Sequence, residues 1–376
     1  MAIPAFKKAE ISPGVHVSYI DSWADKPAAE LPSSYTTIIG LHGVGFNSAI
    51  WTPLLPHLPA STRFIAYNQR SYTGSSPAYQ SEKEGGTDAT AAYLGDLLAF
   101  LEWVVAEVKL PGVDDATSEG GIVLLGWSKG TLLLFSLLSL LHASPSSTTS
   151  FISSVQPTST SLLTSHLRSI LLFEPPGSAF GRPPTADYTE AMASVSPPNS
   201  STPSQFADAF AGWIGSYSPP SASSNPDFPS QAPVDQLPPS GLAALDPELL
   251  AAAWEPQACA HGFSWRLAVA GDEVATLAKN AIAPPLSPSV PVGFIYGART
   301  NGYCLDAAKT VGGWWGLNPF GEVEGGEKKV VVEGEELEKE KKKVAIKRIE
   351  ETNHFAFVHQ PEAFAKVLEE LLDELV

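Results

Sequence analysis

The chain has 376 residues, of which 44% are hydrophobic and 17% charged, a globular composition with length for two domains or one large domain with insertions. Forty acidic residues against 23 basic ones give a net charge of −17, which disfavours binding to nucleic acid or to an anionic membrane surface. The two cysteines, Cys259 and Cys304, stand in no spacing typical of zinc ligands or redox pairs, so we predict neither a metal site nor a disulfide framework.

Short runs typical of strands alternate with longer helical patterns along the chain. This alternation indicates a mostly parallel sheet flanked by helices. We predict strands at 15–20, 36–41, 63–67, 122–125, 169–173, 292–296 and 344–349. We predict helices at 88–108, 129–141, 205–214 and 361–372, the last with a proline in its first turn.

Two biased stretches interrupt the alternation, and we predict that both are flexible surface insertions. Residues 143–165 are rich in serine, threonine and proline, and residues 321–343 are densely charged. An interaction tail is the alternative for the charged stretch. The first residues contain no secretory apolar run, and no stretch fits a membrane-spanning helix, so we expect a cytoplasmic protein.

The predicted strand 122–125 leads into Gly126-Trp127-Ser128-Lys129-Gly130, and a predicted helix follows. This is the G-x-S-x-G pattern in the context of a nucleophile elbow, a sharp turn that lifts the serine hydroxyl clear of the sheet. Such a turn crowds the backbone, so the residues two before and two after the serine must be small. We therefore predict that Ser128 is a nucleophile; the alternative is an ordinary tight turn between a strand and a helix.

The predicted strand 36–41 is followed by His42-Gly43-Val44-Gly45. With the serine motif, this segment resembles the α/β-hydrolase superfamily, in which a His-Gly loop supplies backbone N–H groups to an oxyanion hole. The resemblance implies that the donors are the amide of Lys129 and that of Val44 or Gly43. Glycine suits this task because it lets the main chain approach the oxyanion closely.

Asn353-His354-Phe355 stands between the last predicted strand and the final predicted helix, and it resembles the C-terminal histidine loop of the same superfamily. A triad in the order serine, acid, histidine requires the base late in the chain. His354 is therefore the predicted base. His359 is the alternative, although we expect it to cap or pack at the helix start.

The triad acid is missing from its usual position in the superfamily, because Thr300 stands there. Two replacements are available: Glu174, directly after the predicted strand 169–173, and Asp306, six residues beyond Thr300. A glutamate at the end of the earlier strand resembles the zearalenone-lactonase-like group and certain haloalkane dehalogenases. Its extra methylene helps it to reach the histidine from the neighbouring strand. We favour Glu174 over Asp306, and the sequence leaves open that neither serves.

The resemblance implies one α/β-hydrolase core, formed by residues 1–174 and 286–376, with a helical cap inserted at 175–285. The insertion is rich in aromatic residues and poor in charge, which favours an apolar substrate cavity. The alternative is that these aromatics form the small core of the cap itself. The candidate pocket residues are His42, Trp127, Trp213 and Trp254.

The prediction is a serine hydrolase that cleaves a neutral, largely apolar carboxylic ester or lactone through an acyl-enzyme. Ser128 is the predicted nucleophile, His354 the base and Glu174 the acid. We predict no metal or organic cofactor, a small-molecule substrate as the partner, and no nucleic-acid binding. The alternatives are a non-hydrolytic lyase of this fold and a catalytically silent small-molecule binding protein, the latter suggested by Thr300.

Overall fold

The structure is a computed structural model that describes residues 3–27, 30–32, 34–79, 88–114, 119–142, 160–185, 188–189, 203–217, 245–259, 271–284, 290–320 and 344–375. The predicted insertion 321–343, and the predicted insertion 143–165 up to residue 159, lie outside these residues. Within the described ranges, none of the helices combines the length and the apolar character needed to cross a membrane.

A central sheet of eight strands organises the chain. In chain order the strands are β1 (Lys7–Ser12), β2 (Val15–Asp21), β3 (Thr36–Leu41), β4 (Thr62–Tyr67), β5 (Ile122–Trp127), β6 (Leu167–Phe173), β7 (Val292–Gly297) and β8 (Val344–Ile349). Their spatial order is β1-β2-β4-β3-β5-β6-β7-β8. Strand β2 is antiparallel to both of its neighbours, and all the other pairs are parallel. The predicted mostly parallel sheet is therefore confirmed.

Helices connect and cover the strands. They are α1 (Asp88–Glu107), α2 (Gly130–His142), α3 (Thr160–His166), α4 (Pro203–Ile214), α5 (Pro247–Ala253), α6 (Gly271–Ile282), α7 (Gly302–Trp315), α8 (Ala356–His359) and α9 (Pro361–Glu374). Two 3-10 segments, Ser48–His57 and Gly177–Phe180, complete the connections. Helix α7 begins at a clear cap, because the Asn301 side chain accepts a hydrogen bond from the Cys304 amide.

Both faces of the sheet are covered, which explains why its central strands are continuous apolar runs. Every residue of β5 is buried, and its side chains alternate between two clusters. Leu124 packs in the cluster that contains residues of α1, α2, α6 and α7. Val123 and Leu125 pack in the cluster that contains residues of Ser48–His57, α8 and α9. The sheet is thus the middle layer of three.

The strand register decides which loops meet. Leu41 at the end of β3 pairs with Gly126 in β5, and Trp127 at the end of β5 pairs with Phe173 at the end of β6. Phe173 in turn pairs with Ile295 in β7. Because parallel strands end at the same edge, the loops after β3, β5, β6 and β7 come together there.

All seven predicted strands and all four predicted helices are present, with ends shifted by a few residues. The sequence missed β1, whose alternation of charged and apolar residues is typical of an edge strand with one solvated face. The division into core and cap stays a prediction. Helix α6, which lies inside the predicted cap range 175–285, packs with α2 in the core cluster through Val274, Ala278 and Ala281.

Candidate active site

Ser128 occupies a strained turn between β5 and α2. Its φ of 54° lies in the left-handed region, and its amide donates to the Phe173 carbonyl at 2.9 Å. The flanking glycines are sterically required. A Cβ at Gly126 would lie 2.7 Å from Leu134 Cδ1, and a Cβ at Gly130 would lie 2.6 Å from the Leu41 carbonyl oxygen. The turn therefore has the form predicted for a nucleophile elbow.

The loop after β3 passes directly over this turn. A Cβ at Gly43 would lie 3.1 Å from Ser128 Cβ, so the absence of a side chain lets the two backbones approach. Gly45, with a φ of 79°, donates its amide to the Tyr72 hydroxyl at 3.0 Å. In the described part of the chain, no group accepts a hydrogen bond from the Val44 amide. The Val44 amide therefore stays a candidate oxyanion donor.

Glu174 and His354 form a buried acid–base pair. Nδ1 of His354 lies 3.1 Å from Glu174 Oε2, and the two side chains are 1% and 0% exposed. Glu174 directly follows β6 with a φ of 53°, and its amide donates to the Ile295 carbonyl of the neighbouring strand. The pairing of β6 with β7 therefore fixes the position of Glu174.

Two further donors fix the Glu174 carboxylate. The Gly297 amide donates to Oε1 and the Thr300 hydroxyl donates to Oε2, each at 2.5 Å. Thr300 stands where the superfamily usually has its acid, so here a hydroxyl at that position orients a carboxylate from the next strand. Glu174 and Thr300 are both fully buried, and hydrogen bonds to a carboxylate in such surroundings are strong.

Asp306, the alternative acid, lies elsewhere. It is on α7 and forms a salt bridge to Arg182 at 3.1 Å, at a site where the arginine side chain is half exposed. The structure therefore brings Glu174, and not Asp306, to His354.

His354 also contacts the serine turn through Trp127. The Trp127 indole donates to the His354 carbonyl at 3.0 Å, and the two rings lie 5.3 Å apart. Among the described residues, no hydrogen bond joins the Ser128 hydroxyl to the His354 ring. Catalytic hydrogen bonds are often long in the absence of substrate and tighten when substrate binds.

The structure places His42, a predicted pocket residue, in the interior of the protein. The ring is fully buried, with Nδ1 against the Gly43 carbonyl at 2.9 Å and Nε2 accepting from the Gln69 amide at 3.0 Å. Burial lowers the pKa of His42 to about 3, and the nearby Lys129 charge adds to the effect. With both ring nitrogens engaged, the imidazole joins the loops that follow β3 and β4.

Trp127, another predicted pocket residue, is also buried. It is 1% exposed and packs among Phe46, Trp51 and Phe357 beneath the serine turn. The indole is buried because its position in β5 directs it into the cluster on one face of the sheet.

The other two candidate tryptophans lie in the predicted cap. Trp213 is buried on α4 against Tyr188 and Phe210, where it contributes to packing. Trp254 follows α5 and covers the loop after β3: its ring lies 4.8 Å from that of Phe46, and a Cβ at Gly45 would fall 2.3 Å from Trp254 Cζ3. Trp254 thus contacts the candidate oxyanion loop directly.

Polar contacts attach the predicted cap to two loops of the site. The Glu255 carboxylate accepts from the Asn47 side chain at 2.7 Å and from the Thr73 amide at 3.0 Å. The Asn353 side chain, next to His354, donates to the Gly215 carbonyl at 2.8 Å. Sequence reasoning missed these contacts, because nothing in a local pattern links residues so far apart in the chain.

Sequence reasoning also missed Cys304, whose Sγ lies 3.6 Å from His354 Nδ1 and 3.6 Å from the Glu174 carbonyl oxygen. The sequence did point to Thr300, because it occupies the position of the expected acid. No pattern in the sequence pointed to Cys304, because its distance from His354 depends on the orientation of α7 after β7.

Comparison with known proteins identifies the fold independently. A sequence model described as the Alpha/beta hydrolase family matches residues 38–367. No curated protein matches the chain.

Solved structures resemble it over nearly their whole length, at low identity. A bromoperoxidase from Bacillus anthracis has a TM-score of 0.53 and 12% identity, covering 98% of this chain and 100% of its own. A haloalkane dehalogenase DbeA loop variant from Bradyrhizobium elkanii has a TM-score of 0.53 and 14% identity, with coverages of 99% and 97%. A proline iminopeptidase-related protein from Thermus thermophilus has a TM-score of 0.51 and 14% identity, with coverages of 99% and 98%. At these identities, the likeness concerns the fold alone.

Proposed function

The chain belongs to the alpha/beta hydrolase family, and on that premise we propose that it is a serine hydrolase that cleaves a neutral, largely apolar carboxylic ester or lactone. The observation that carries the proposal is the buried Glu174–His354 pair at 3.1 Å, at the same sheet edge as a serine in a strained strand-to-helix turn. A fully buried carboxylate and imidazole in contact are costly to maintain for stability alone, and they are typical of a proton-transfer site.

In the proposed mechanism Ser128 attacks the substrate carbonyl while His354 Nε2 takes its proton. Glu174 accepts the hydrogen bond from Nδ1, which holds the ring in the tautomer that leaves Nε2 able to accept, and it stabilises the imidazolium that forms. The amides of Lys129 and of Val44 or Gly43 stabilise the oxyanion. His354 then protonates the leaving alcohol, and water hydrolyses the acyl-enzyme by the same route in reverse.

A serine nucleophile favours carbonyl substrates over the other substrates that the names of the neighbours suggest. Attack of a serine alkoxide on a saturated carbon, as halide displacement would require, leaves an ether that this machinery has no means to hydrolyse. Attack on a carbonyl leaves an ester, which water can cleave through the same oxyanion hole. The chemistry of Ser128 therefore supports an ester or lactone.

The surroundings support a neutral, apolar substrate. The net charge of −17 disfavours anionic ligands. Among the described residues, the loop beside Ser128 carries the apolar side chain of Val44, and the partly buried Trp254 packs over that loop. Aromatic and aliphatic walls with a few convergent polar groups are typical of small-molecule sites.

The test is hydrolysis of p-nitrophenyl esters from acetate to decanoate. We expect Ser128→Ala to abolish turnover, and Glu174→Gln to lower kcat by about 10²- to 10⁴-fold because the imidazolium loses its counter-charge. Asp306→Asn is the matched control, since it removes an acid that pairs with a half-exposed arginine, and it should retain wild-type activity.

Full activity in Ser128→Ala would overturn the proposal. If Asp306→Asn lost esterase activity and Glu174→Gln did not, Asp306 would be the triad acid and the protein would still be a serine hydrolase. A folded wild-type protein with no activity on any ester would direct attention to the lyase or the silent binding protein.

A further inference from the structure

Three ligand atoms of different chemistry meet at the Glu174–His354 hydrogen bond. They are a carboxylate oxygen of Glu174, Nδ1 of His354 and Sγ of Cys304, and all lie within 4.8 Å of one another in a fully buried environment. No other group of three or more histidine, cysteine or acidic ligands of this kind occurs in the part of the chain that the structure describes. The proposed hydrolysis uses Glu174 and His354 and assigns no role to the Cys304 thiol.

The spacings match a tetrahedral zinc site. Zinc bonds of about 2.3 Å to sulfur, 2.05 Å to nitrogen and 2.1 Å to oxygen, at tetrahedral angles, place nitrogen about 3.6 Å from sulfur and about 3.4 Å from oxygen. The observed separations are 3.6 Å between His354 Nδ1 and Cys304 Sγ and 3.1 Å between Nδ1 and Glu174 Oε2. The third pair, the Glu174 carboxylate oxygen and Cys304 Sγ, lies within the 4.8 Å that spans all three ligand atoms.

The donor set selects the class of cation. One thiolate, one imidazole and one carboxylate suit zinc and cadmium, whereas magnesium and calcium prefer oxygen ligands throughout. A dication also balances the two negative charges that the thiolate and the carboxylate would carry together. Burial and the neighbouring Glu174 charge raise the pKa of the Cys304 thiol. A bound dication offsets the effect of the Glu174 charge.

We propose that Cys304, His354 and Glu174 bind one thiophilic divalent cation of the zinc class, and that the bound cation inhibits the enzyme. The binding itself does not depend on the proposed function; only the inhibition rests on it. The site is assembled from the buried acid–base pair and a thiol supplied by the first turn of α7.

The proton balance explains the inhibition. Binding releases the thiol proton to solvent, and the imidazole proton moves from Nδ1 to Nε2 so that the Nδ1 lone pair can bind the metal. Nε2 then carries a proton and cannot accept one from Ser128. Because all three ligands are buried, the cation must wait for a local opening, so the onset of inhibition should be slow and reversible by a chelator.

The experiment measures metal binding directly on the full chain. Zinc and cadmium chlorides are titrated into wild type, Cys304→Ala and Cys259→Ala, with bound metal measured by equilibrium dialysis and cadmium–thiolate bonds by ultraviolet absorption. Cys259→Ala is the matched control because Cys259 is the other cysteine of the chain and is also buried.

We expect one ion per chain in wild type and in Cys259→Ala, and binding weaker by at least about tenfold in Cys304→Ala. Loss of p-nitrophenyl ester hydrolysis should follow the same occupancy, and magnesium chloride should have no effect. Circular dichroism checks that Cys304→Ala is folded, and Cys304→Ser, of similar volume, should show the same weakened cadmium–thiolate signal.

Wild-type binding that survives in folded Cys304→Ala, or the absence of a bound ion in wild type, would overturn the site. One ion held through Cys304 in a protein without esterase activity would leave the site standing and reject the proposed function instead. Esterase activity that persists at full occupancy would overturn the inhibition.

Discussion

At the scale of single residues, Thr300 is the most informative position. It stands where an acid is expected, and its hydroxyl donates to Glu174 Oε2 at 2.5 Å. The hydroxyl does not supply the negative charge of an acid. It orients the carboxylate of Glu174, which stands at the end of another strand. We therefore regard Thr300 as a positioning residue for Glu174 in the proposed triad.

Thr300→Val is close in volume and removes this donor. We expect kcat to fall by about 10- to 100-fold with KM little changed, because hydrogen bonds to charged groups contribute ~1.5–3 kcal/mol and this one acts on the acid rather than on the substrate. Steady-state kinetics on a p-nitrophenyl ester measure the split. Thr300→Ser should restore most of the activity, and a valine variant as fast as wild type would remove Thr300 from the mechanism.

His42 predicts a pH dependence of stability. Its pKa is about 3 in the folded chain against 6.5 as the ordinary value, so between these pH values the unfolded chain binds a proton that the folded chain does not. The contribution to stability is complete above about pH 6.5, decreases as the pH falls and levels off near pH 3. The slope approaches about 1.4 kcal/mol per pH unit.

Urea unfolding at pH 7 and pH 5 tests this dependence. Between the two conditions, wild type should lose about 2 kcal/mol more than His42→Gln, whose side chain does not titrate in this range. All other titrating groups are common to both proteins, so the difference isolates His42. Equal losses in the two proteins would show that His42 does not stay neutral in the folded state.

At the scale of elements, the junction of β5 and α2 depends on glycine at Gly126 and Gly130. Gly130→Ala would place a methyl group 2.6 Å from the Leu41 carbonyl oxygen, a backbone atom that cannot move without shifting β3. We expect this variant to lose ~1–3 kcal/mol of stability and most of its activity. Thermal unfolding and ester hydrolysis measure the two effects.

Gly95, in the middle of α1, is the matched glycine, because no atom lies within 4 Å of a Cβ built there. Gly95→Ala should gain about 0.5–1 kcal/mol from the improved helix propensity and keep full activity. If both alanine variants behaved alike, crowding at the serine turn would not be the reason for its glycines.

At the scale of the whole molecule, the core of the fold could be predicted because its strands are buried on both faces and are punctuated by strong turn motifs. The serine motif and the histidine loop were also visible in sequence, since each is local to one strand end. Edge strand β1 and the short helix α5 were missed because their patterns are weak over a few residues, and the longer helices α6 and α7 were not predicted either. The choice between Glu174 and Asp306 needed the three-dimensional arrangement, because it depends on which helix face turns toward β6.

The contacts that join the predicted cap to the loops of the site could not be predicted. Glu255 lies 182 residues from Thr73 in the chain, and Asn353 lies 138 residues from Gly215, yet each pair is hydrogen-bonded. Such pairs arise from the docking of whole elements, for which a single sequence carries no local signal.

The register of β6 against β7 bears on where a triad acid can stand. Because Phe173 pairs with Ile295 and the Glu174 amide donates to the Ile295 carbonyl, Glu174 at the end of β6 and Thr300 in the loop after β7 lie within hydrogen-bond distance of each other. A carboxylate on either of these two strand ends would therefore lie near the same site beside His354. The acid can change strands without a change of fold, and in this chain the second position holds the hydroxyl of Thr300.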